Sequence, residues 1–427
     1  MSTLILHAFP QSIGNQLRAC GHRIIEVADH DGADHHWRDV VTARDLNPSP
    51  LDPDGLALLG DLLHDAATIF DLYARHFQLN QADHSDFRGM LELHVRFALE
   101  LLKSGRPDAL AFSTIPHEGY DFVLFHVARR LGIHCLVCYQ TPFPDRFWLM
   151  EDGWSFSGLD QTPAVFEWPH GDVLPKVDLF YMRGAGGVPS YTLIDAVKNS
   201  LRRPLAMPAF MFRWQRAAIY RHRARACSGR MSADTRPCVY FPLHLQPELT
   251  TSVLGGVFAD QILAVEYLRE ILPDEVRIVV KENPRQTEMH RGRLFFERLR
   301  RIPKTILVDA DTPTTALIDR CEAVATVSGT AGWEGLLAGK PVLLFGRAWY
   351  EGFNGVYGVN DIVPKQLPPA PDHPALMQDF SRRLSRAFEG VVDDGYVPIA
   401  PGYNALKNAA KVAQVLLSRI DENRCAF

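Results

Sequence analysis

The sequence predicts an α/β protein of two domains, each built on a mostly parallel sheet. Three observations lead there. At 427 residues the chain exceeds the roughly 100–200 residues of an ordinary domain. Short apolar runs alternate with longer stretches whose apolar residues recur at helical spacing. The alternation lapses near residue 141 and starts afresh at Arg236, which gives two series with an irregular segment between them.

In the first series, LILHA (residues 4–8) reads as a strand. A Gly-containing loop, a helix around residues 15–20 and a strand at 22–29 follow. Helical spacing marks residues 56–77 and 87–102. ALAFST (109–114) is a strand, PHEGYDFVLFHVARRLG a loop and a helix stopped by Gly132, and IHCLVCYQ another strand. Strand, helix and strand at this spacing imply a right-handed crossover and a parallel sheet. Ligands of such sheets bind beyond the carboxyl ends of the strands. His117, Glu118 and Asp121 fall at such an end and are candidates for handling an acceptor hydroxyl. The alternative is an acid-favoured helix N-terminus. Residues 141–190 are rich in Pro, Gly and aromatics without a period. From Arg202 to Arg230 the chain then holds eight arginines and no acid, either a solvated helix beside a linker or a face for anionic lipid.

In the second series CVYFPLHL is a strand, residues 258–271 a helix, VRIVVKENP a strand and its loop, and residues 294–301 a helix. TILVDAD is a strand, after which Thr312 caps a helix with Pro313 at its first position. AVATVS is a strand, SGT a tight loop, AGWEGLLAG a helix ended by Gly339, and PVLLFG a strand. The domains expected are 1–235 and 236–385, facing each other across a cleft. Residues 386–427 would carry a helix over 403–419 that packs back on them.

Composition excludes several classes. With 45 basic against 50 acidic residues the net charge is −5, the wrong sign for a nucleic-acid binder. No apolar run approaches the roughly 18 residues of a membrane span. MSTLILHAFPQ enters a strand pattern directly, so a cytoplasmic location is expected. Seven scattered cysteines argue against a disulfide framework. Cys135 and Cys138 lie three apart in a strand, on opposite faces, where they cannot share a metal. Asp309-Ala310-Asp311 has the look of a metal motif but serves a turn, and His35 and His36 fall in a hydrated polar loop. Neither a metal nor a cofactor is expected.

Three segments of the second series carry candidate chemistry. In VSGTAGWEGLLAGKPVLLFG, Ser328, Gly329 and Thr330 sit between strand and helix. There unpaired backbone N–H groups and a positive dipole end receive a phosphate or carboxylate. Glu334, one turn on, is placed for a ribose or sugar hydroxyl. A plain capped crossover is the alternative. In FPLHLQPELTTSVLGG, His244, Gln246 and Glu248 cluster after a strand, and Glu248 is a candidate nucleophile or proton acceptor. In VVKENPRQ, Lys281 or Arg285 would balance phosphate or carboxylate charge.

Together these segments resemble the capsule polysaccharide biosynthesis family, which includes retaining β-Kdo transferases. The matches are LQPELTTSVLGG, VVKENPRQ and TVSGTAGWEGLLAGKPVLLFGRAWY, over roughly residues 238–358. STIPHEGYDF and QTPFPDRFW are similar to features of related surface-polysaccharide proteins. The resemblance implies a GT-B glycosyltransferase, two Rossmann-like domains around a nucleotide sugar, metal-independent and retaining. Its donor would be CMP- or UDP-linked, with Kdo or another acidic sugar, and its acceptor a growing glycan or glycolipid. Ser328, Gly329 and Thr330 would hold the donor phosphate, Lys281 and Asn283 would lie against nucleotide or sugar carboxylate, and Glu334 would contact the nucleotide. Gln246 is grouped with these binding residues. Glu248 stands where the catalytic carboxylate is expected. The family's usual His-Pro is here Asn283-Pro284, and asparagine cannot gain charge or transfer a proton. A sugar-nucleotide epimerase or hydrolase shares the architecture and would turn over donor alone. A non-catalytic assembly partner would keep the fold without turnover, and Asn283 favours it.

Overall fold

Cα packing divides the computed structural model into two units, Met1–His170 with Ser381–Phe427, and Gly171–Phe380. The structure describes residues 1–427 except 44–45, 78–83, 169–172, 179, 181–190, 230–235, 289 and 426–427. The strands in chain order are β1 (Thr3–His7), β2 (Arg23–Ala28), β3 (His35–His36), β4 (Ala109–Phe112), β5 (His134–Gln140) and β6 (Arg146–Glu151). Then come β7 (Cys238–Pro242), β8 (Arg277–Lys281), β9 (Thr305–Val308), β10 (Ala323–Thr326), β11 (Val342–Leu344), β12 (Val356–Gly358) and β13 (Phe388–Glu389).

The first unit holds a sheet of order β13-β6-β5-β4-β1-β2-β3. β1 to β5 run parallel, while β6 and β13 are antiparallel additions at one edge. The second holds β12-β11-β10-β7-β8-β9, parallel throughout. Burial on both faces explains why its strands read as unbroken apolar runs, with Val239, Phe241, Ile278, Val280, Ala323 and Ala325 at 0% exposure. Each sheet has the doubly wound order of a Rossmann-like fold.

The unit boundaries depart from those expected. Residues 173–178 and the helices Leu193–Arg202 and Met207–Cys227 belong with the second unit, because Tyr220 donates to the buried Glu282 at 2.9 Å and Arg213 pairs with Glu288 at 2.8 Å. The C-terminal segment belongs with the first unit. Its strand β13 extends the sheet through β6, and Val412, Leu416 and Ile420 of the helix Ala405–Cys425 share a core with Ile13 and Leu17.

Local differences have local causes. The expected helix over 56–77 is two helices, Pro53–Leu62 and Ala66–His76, parted by a tight turn at Leu63–Asp65. Thr312 is no cap; Pro313 occupies that position before Thr314–Arg320, and the Thr312 carbonyl accepts from Lys281. His35 and His36 form a two-residue edge strand rather than a hydrated loop. His36 lies 3.0 Å from Asp29, and His35 sits edge-on to Phe97.

Candidate functional site

In the second sheet the chain builds outward from β7 through β8 and β9, then returns to β7's other side for β10 to β12. The connections leaving β7 and β10 therefore part at adjacent strands, the switch point that is the usual ligand position in such sheets. His244 follows β7 by two residues, and Ser328 and Gly329 follow β10 in the same way.

These two connections meet. The His244 ring Nε2 lies 2.9 Å from Thr326 Oγ1, and that oxygen accepts the Gly329 N–H at 3.1 Å. The imidazole packs so closely on Gly329 that a methyl group there would stand 2.4 Å from His244 Cε1. Only glycine lets the turn and the ring share the space. Burial, and next the nearby Arg291 charge, lower the His244 pKa to about 4, so the ring is neutral at neutral pH.

The turn itself is tied down on three sides. The Ser328 hydroxyl donates to the Thr250 carbonyl, so it braces the turn against the loop after β7 rather than capping the helix. The Tyr350 hydroxyl donates to the Gly329 carbonyl, and a methyl on Gly332 would meet the Tyr350 oxygen at 2.3 Å. The following helix, Thr330–Leu337, begins without a side-chain cap. Gly332 N–H donates to the Gly329 carbonyl at 3.1 Å, while the Thr330 and Ala331 amides ahead of it lie at the positive end of the helix, where the ladder offers no acceptor. One turn on, Trp333 is fully buried against Trp349 and Phe380. The W-E pair and the later W-Y of the motif thus hold the turn in place.

Lys281 ends β8. Its Nζ donates to the Thr312 carbonyl at 2.7 Å and to Thr314 Oγ1 at 3.1 Å, and burial lowers its pKa against the pull of Glu334 and Asp311. Glu334 is half-buried, and burial raises its carboxyl pKa against the opposing Lys281 charge. The two charges sense each other at the carboxyl end of the sheet. Glu248 is half-buried at the head of a π-type turn in which the Leu254 N–H reaches the Leu249 carbonyl. Its carboxylate accepts the Leu249 N–H at 3.2 Å, and it stands two residues before Thr250, the acceptor for Ser328.

Two of the sequence candidates have other employment. Both lone pairs of Gln246 Oε1 are taken, by Gln261 Nε2 at 3.0 Å and Arg291 Nη1 at 2.9 Å, and its Nε2 donates to Ala259. Its side chain is a brace. Asn283 Oδ1 accepts the Arg285 N–H at 2.9 Å, so the residue standing in for the family's histidine shapes a local turn. Beneath both lies a network that sequence reasoning missed. Arg291 grips Glu282 with two nitrogens at 3.0 and 3.1 Å and donates to the His244 carbonyl at 2.9 Å, with both charged side chains almost wholly buried. Arg291 lies ten residues beyond the strand end, and no local pattern marks it.

At the carboxyl ends of β1 and β4 in the first unit, the structure does bring His117, Glu118 and Asp121 together. Asp121 is 0% exposed and accepts three backbone N–H groups, from His117, Glu118 and Phe122, at 2.7–2.9 Å. It lies in the first turn of the helix Tyr120–Arg130, where its carboxylate ties that turn to the loop before it. Glu118 lies 2.8 Å from His76 and 3.2 Å from Arg75. Burial works to raise its pKa, but His76, His117 and Arg75 overcome this and hold it at about 2. His117 Nδ1 lies 2.7 Å from the Ile115 carbonyl, and its Nε2 lies 3.4 Å from Glu118.

Residues 216–380 match the family model described as "Capsule polysaccharide biosynthesis protein". That match covers less than half of the chain. A search of curated proteins finds no match. Among solved structures the chain is similar to two KpsC proteins of Thermosulfurimonas dismutans. One, a beta Kdo 2,4 transferase, has 13% identity, covers 65% of this chain and 79% of that one, and gives a TM-score of 0.32. The other, a beta Kdo 2,7 transferase, has 10% identity, 81% and 95% coverage, and a TM-score of 0.34. The UDP-GlcNAc 2-epimerase of Methanocaldococcus jannaschii has 12% identity, 97% and 99% coverage, and a TM-score of 0.26. TM-scores this low do not establish a shared whole-chain arrangement. The matched residues span β7 to β12 and include Gln246, Glu248, Lys281, Asn283, Ser328, Gly329, Thr330 and Glu334.

Proposed function

We propose that the protein is a glycosyltransferase of capsule or surface-polysaccharide assembly, taking a sugar from a CMP- or UDP-linked donor. The observation that carries this is the meeting of His244 with Gly329 at the β7/β10 switch point, beside an uncapped helix N-terminus. Amides of Thr330 and Ala331 would receive the donor phosphate, with the small Ser328 and Gly329 allowing close approach. Glu334 would meet a ribose or sugar hydroxyl, while Lys281 adds positive potential from below. Preorganised donors of this kind are worth about 3–4 kcal/mol each when they act on charge that develops as the leaving group departs.

His244 answers the question raised by Asn283. With the Thr326 hydroxyl proton on Nε2, the neutral ring keeps its own hydrogen on Nδ1, where it can donate to a phosphate oxygen as the nucleotide leaves. The protein thereby recovers a histidine donor from β7 rather than from the loop after β8. Glu248 would act as nucleophile in a retaining double displacement or as base. These steps need no metal ion. A glycolipid acceptor, Kdo or a related acidic sugar as the transferred group, and attachment to the inner face of a membrane complete the reading.

Glu248→Gln should abolish transfer and leave donor affinity, measured by calorimetry, within about threefold of the parent. His244→Gln should lower kcat more than tenfold with a smaller change in KM. Full transfer by both variants would remove this site from the chemistry. Absence of binding to any CMP-, UDP- or GDP-sugar would favour a non-catalytic assembly role, and conversion of donor without acceptor an epimerase or hydrolase.

A further inference from the structure

A helix of a folded protein ordinarily turns its apolar face inward. The helix Leu193–Arg202 does the reverse. Leu193, Ile194, Val197 and Leu201 are 46%, 65%, 46% and 78% exposed, and at about 100° per residue they fall within one arc of about 100°. Ala196, on the far side of the helix, is fully buried. Leu205, wholly exposed, and Met207 continue the apolar surface into the next turn. No helix among the described residues is long and apolar enough to cross a membrane.

Charge says what covers this face. Lys198, Arg202 and Arg203 are exposed, and Lys198 borders the arc, where its long stem can lie along apolar material with the cation in water. From Ala196 to Arg230 the sequence contains no acid. Asp195, the one acid in the helix, is spent on a reciprocal cap with Thr192. The arginines of the longer helix Met207–Cys227, which the sequence offered as the lipid face, are partly committed within the unit. Arg213 holds Glu288 and stacks on Tyr191, and Arg221 donates to the Tyr191 carbonyl.

We infer that Leu193–Arg202, with Leu205 and Met207, is an interfacial anchor. It inserts its apolar face into the acyl boundary of an anionic bilayer while Lys198, Arg202 and Arg203 meet lipid phosphates. This goes beyond the proposed reaction and is independent of donor chemistry, since vesicle binding is read without any sugar nucleotide.

The test is co-sedimentation of the full chain with vesicles of phosphatidylglycerol and phosphatidylethanolamine, against pure phosphatidylcholine. The parent should prefer the anionic vesicles at least tenfold. Ile194→Asp with Leu201→Asp should cut that binding tenfold or more at unchanged thermal midpoint, because both side chains already face water. Arg202→Gln with Arg203→Gln should weaken it and flatten its salt dependence. Parental binding by the Ile194→Asp, Leu201→Asp chain would overturn the inference, as would failure of the parent to bind anionic vesicles. A concentration-dependent dimer of the parent, broken by the same two substitutions, would also overturn it by assigning the face to a second copy. Loss of donor binding alone would sink the proposed reaction and leave the anchor standing.

Discussion

Replacing Gly329 by alanine tests the centre of the site with a single methyl group. The backbone permits it, since φ −85° and ψ 162° are open to any residue. What forbids it is His244: the new carbon would lie 2.4 Å from Cε1 and 3.2 Å from each ring nitrogen, against about 3.5–4.0 Å for relaxed contact. The ring must swing away, but it is buried and held to Thr326. Overpacking of this kind costs about 1–3 kcal/mol, and the lost hydrogen bond about 1 more. The expected destabilisation is about 2–4 kcal/mol. At about 2–4 °C per kcal/mol for a unit of this size, the midpoint of thermal unfolding should fall by about 4–16 °C. His244→Ala in the same chain makes room for the methyl, so the double variant should be more stable than the sum of the two single losses by at least about 1 kcal/mol. Transfer should not return, because the imidazole is gone. A Gly329→Ala chain melting within a degree of the parent, or strict additivity of the pair, would refute the packing on which the site rests.

Two further outcomes follow from the first unit. Asp121→Ala strands three buried N–H groups and should cost at least about 2 kcal/mol, while Asp121→Asn, which keeps an acceptor oxygen, should lose less. An Asp121→Asn chain of parental stability but no activity would return that residue to the chemistry. His94 and His244 are each held at about 4, well below the roughly 6.5 of an unfolded chain, by burial first. The unfolded chain binds more protons between those limits, so stability should fall as pH drops from about 6.5 toward 4, by at most about 1.4 kcal/mol per unit for each ring. Glu118, held at about 2, adds stability that is complete above about 4.5 and lost as pH falls below it. Thermal midpoints against pH for a His94→Asn chain should show a shallower slope between about pH 6.5 and 4 and a nearly unchanged one well below 4. An unchanged slope throughout would contradict the assignment.

How much of this was legible can be argued residue by residue. The SGT turn and its helix were placed correctly because an apolar strand, small residues and a helical period are contiguous signals. β6 escaped notice because its apolar run RFWLME sits in an aromatic-rich stretch, although Pro144-Asp145 before it and Asp152-Gly153 after it are turn signals. The hydrogen bonds of Asp121 were not legible, because a carboxylate that gathers backbone amides and one that faces a substrate look alike until their partners are seen. The same holds for Gln246, whose three side-chain partners lie 13 to 45 residues away.

The sequence by itself determined the two α/β series, the strands that end in polar loops, the capsule motif and the departure at Asn283. Each is a matter of residue type and short-range period, and hydrophobic patterning fixes such things locally. Tertiary structure alone decided that the chain returns to β7's far side to make β10. That return brings His244 onto Gly329 across 85 residues of sequence. It alone also turned the apolar face of Leu193–Arg202 outward. Those outcomes depend on which surfaces meet, and hydrogen bonds and contacts between distant residues carry no local period to betray them.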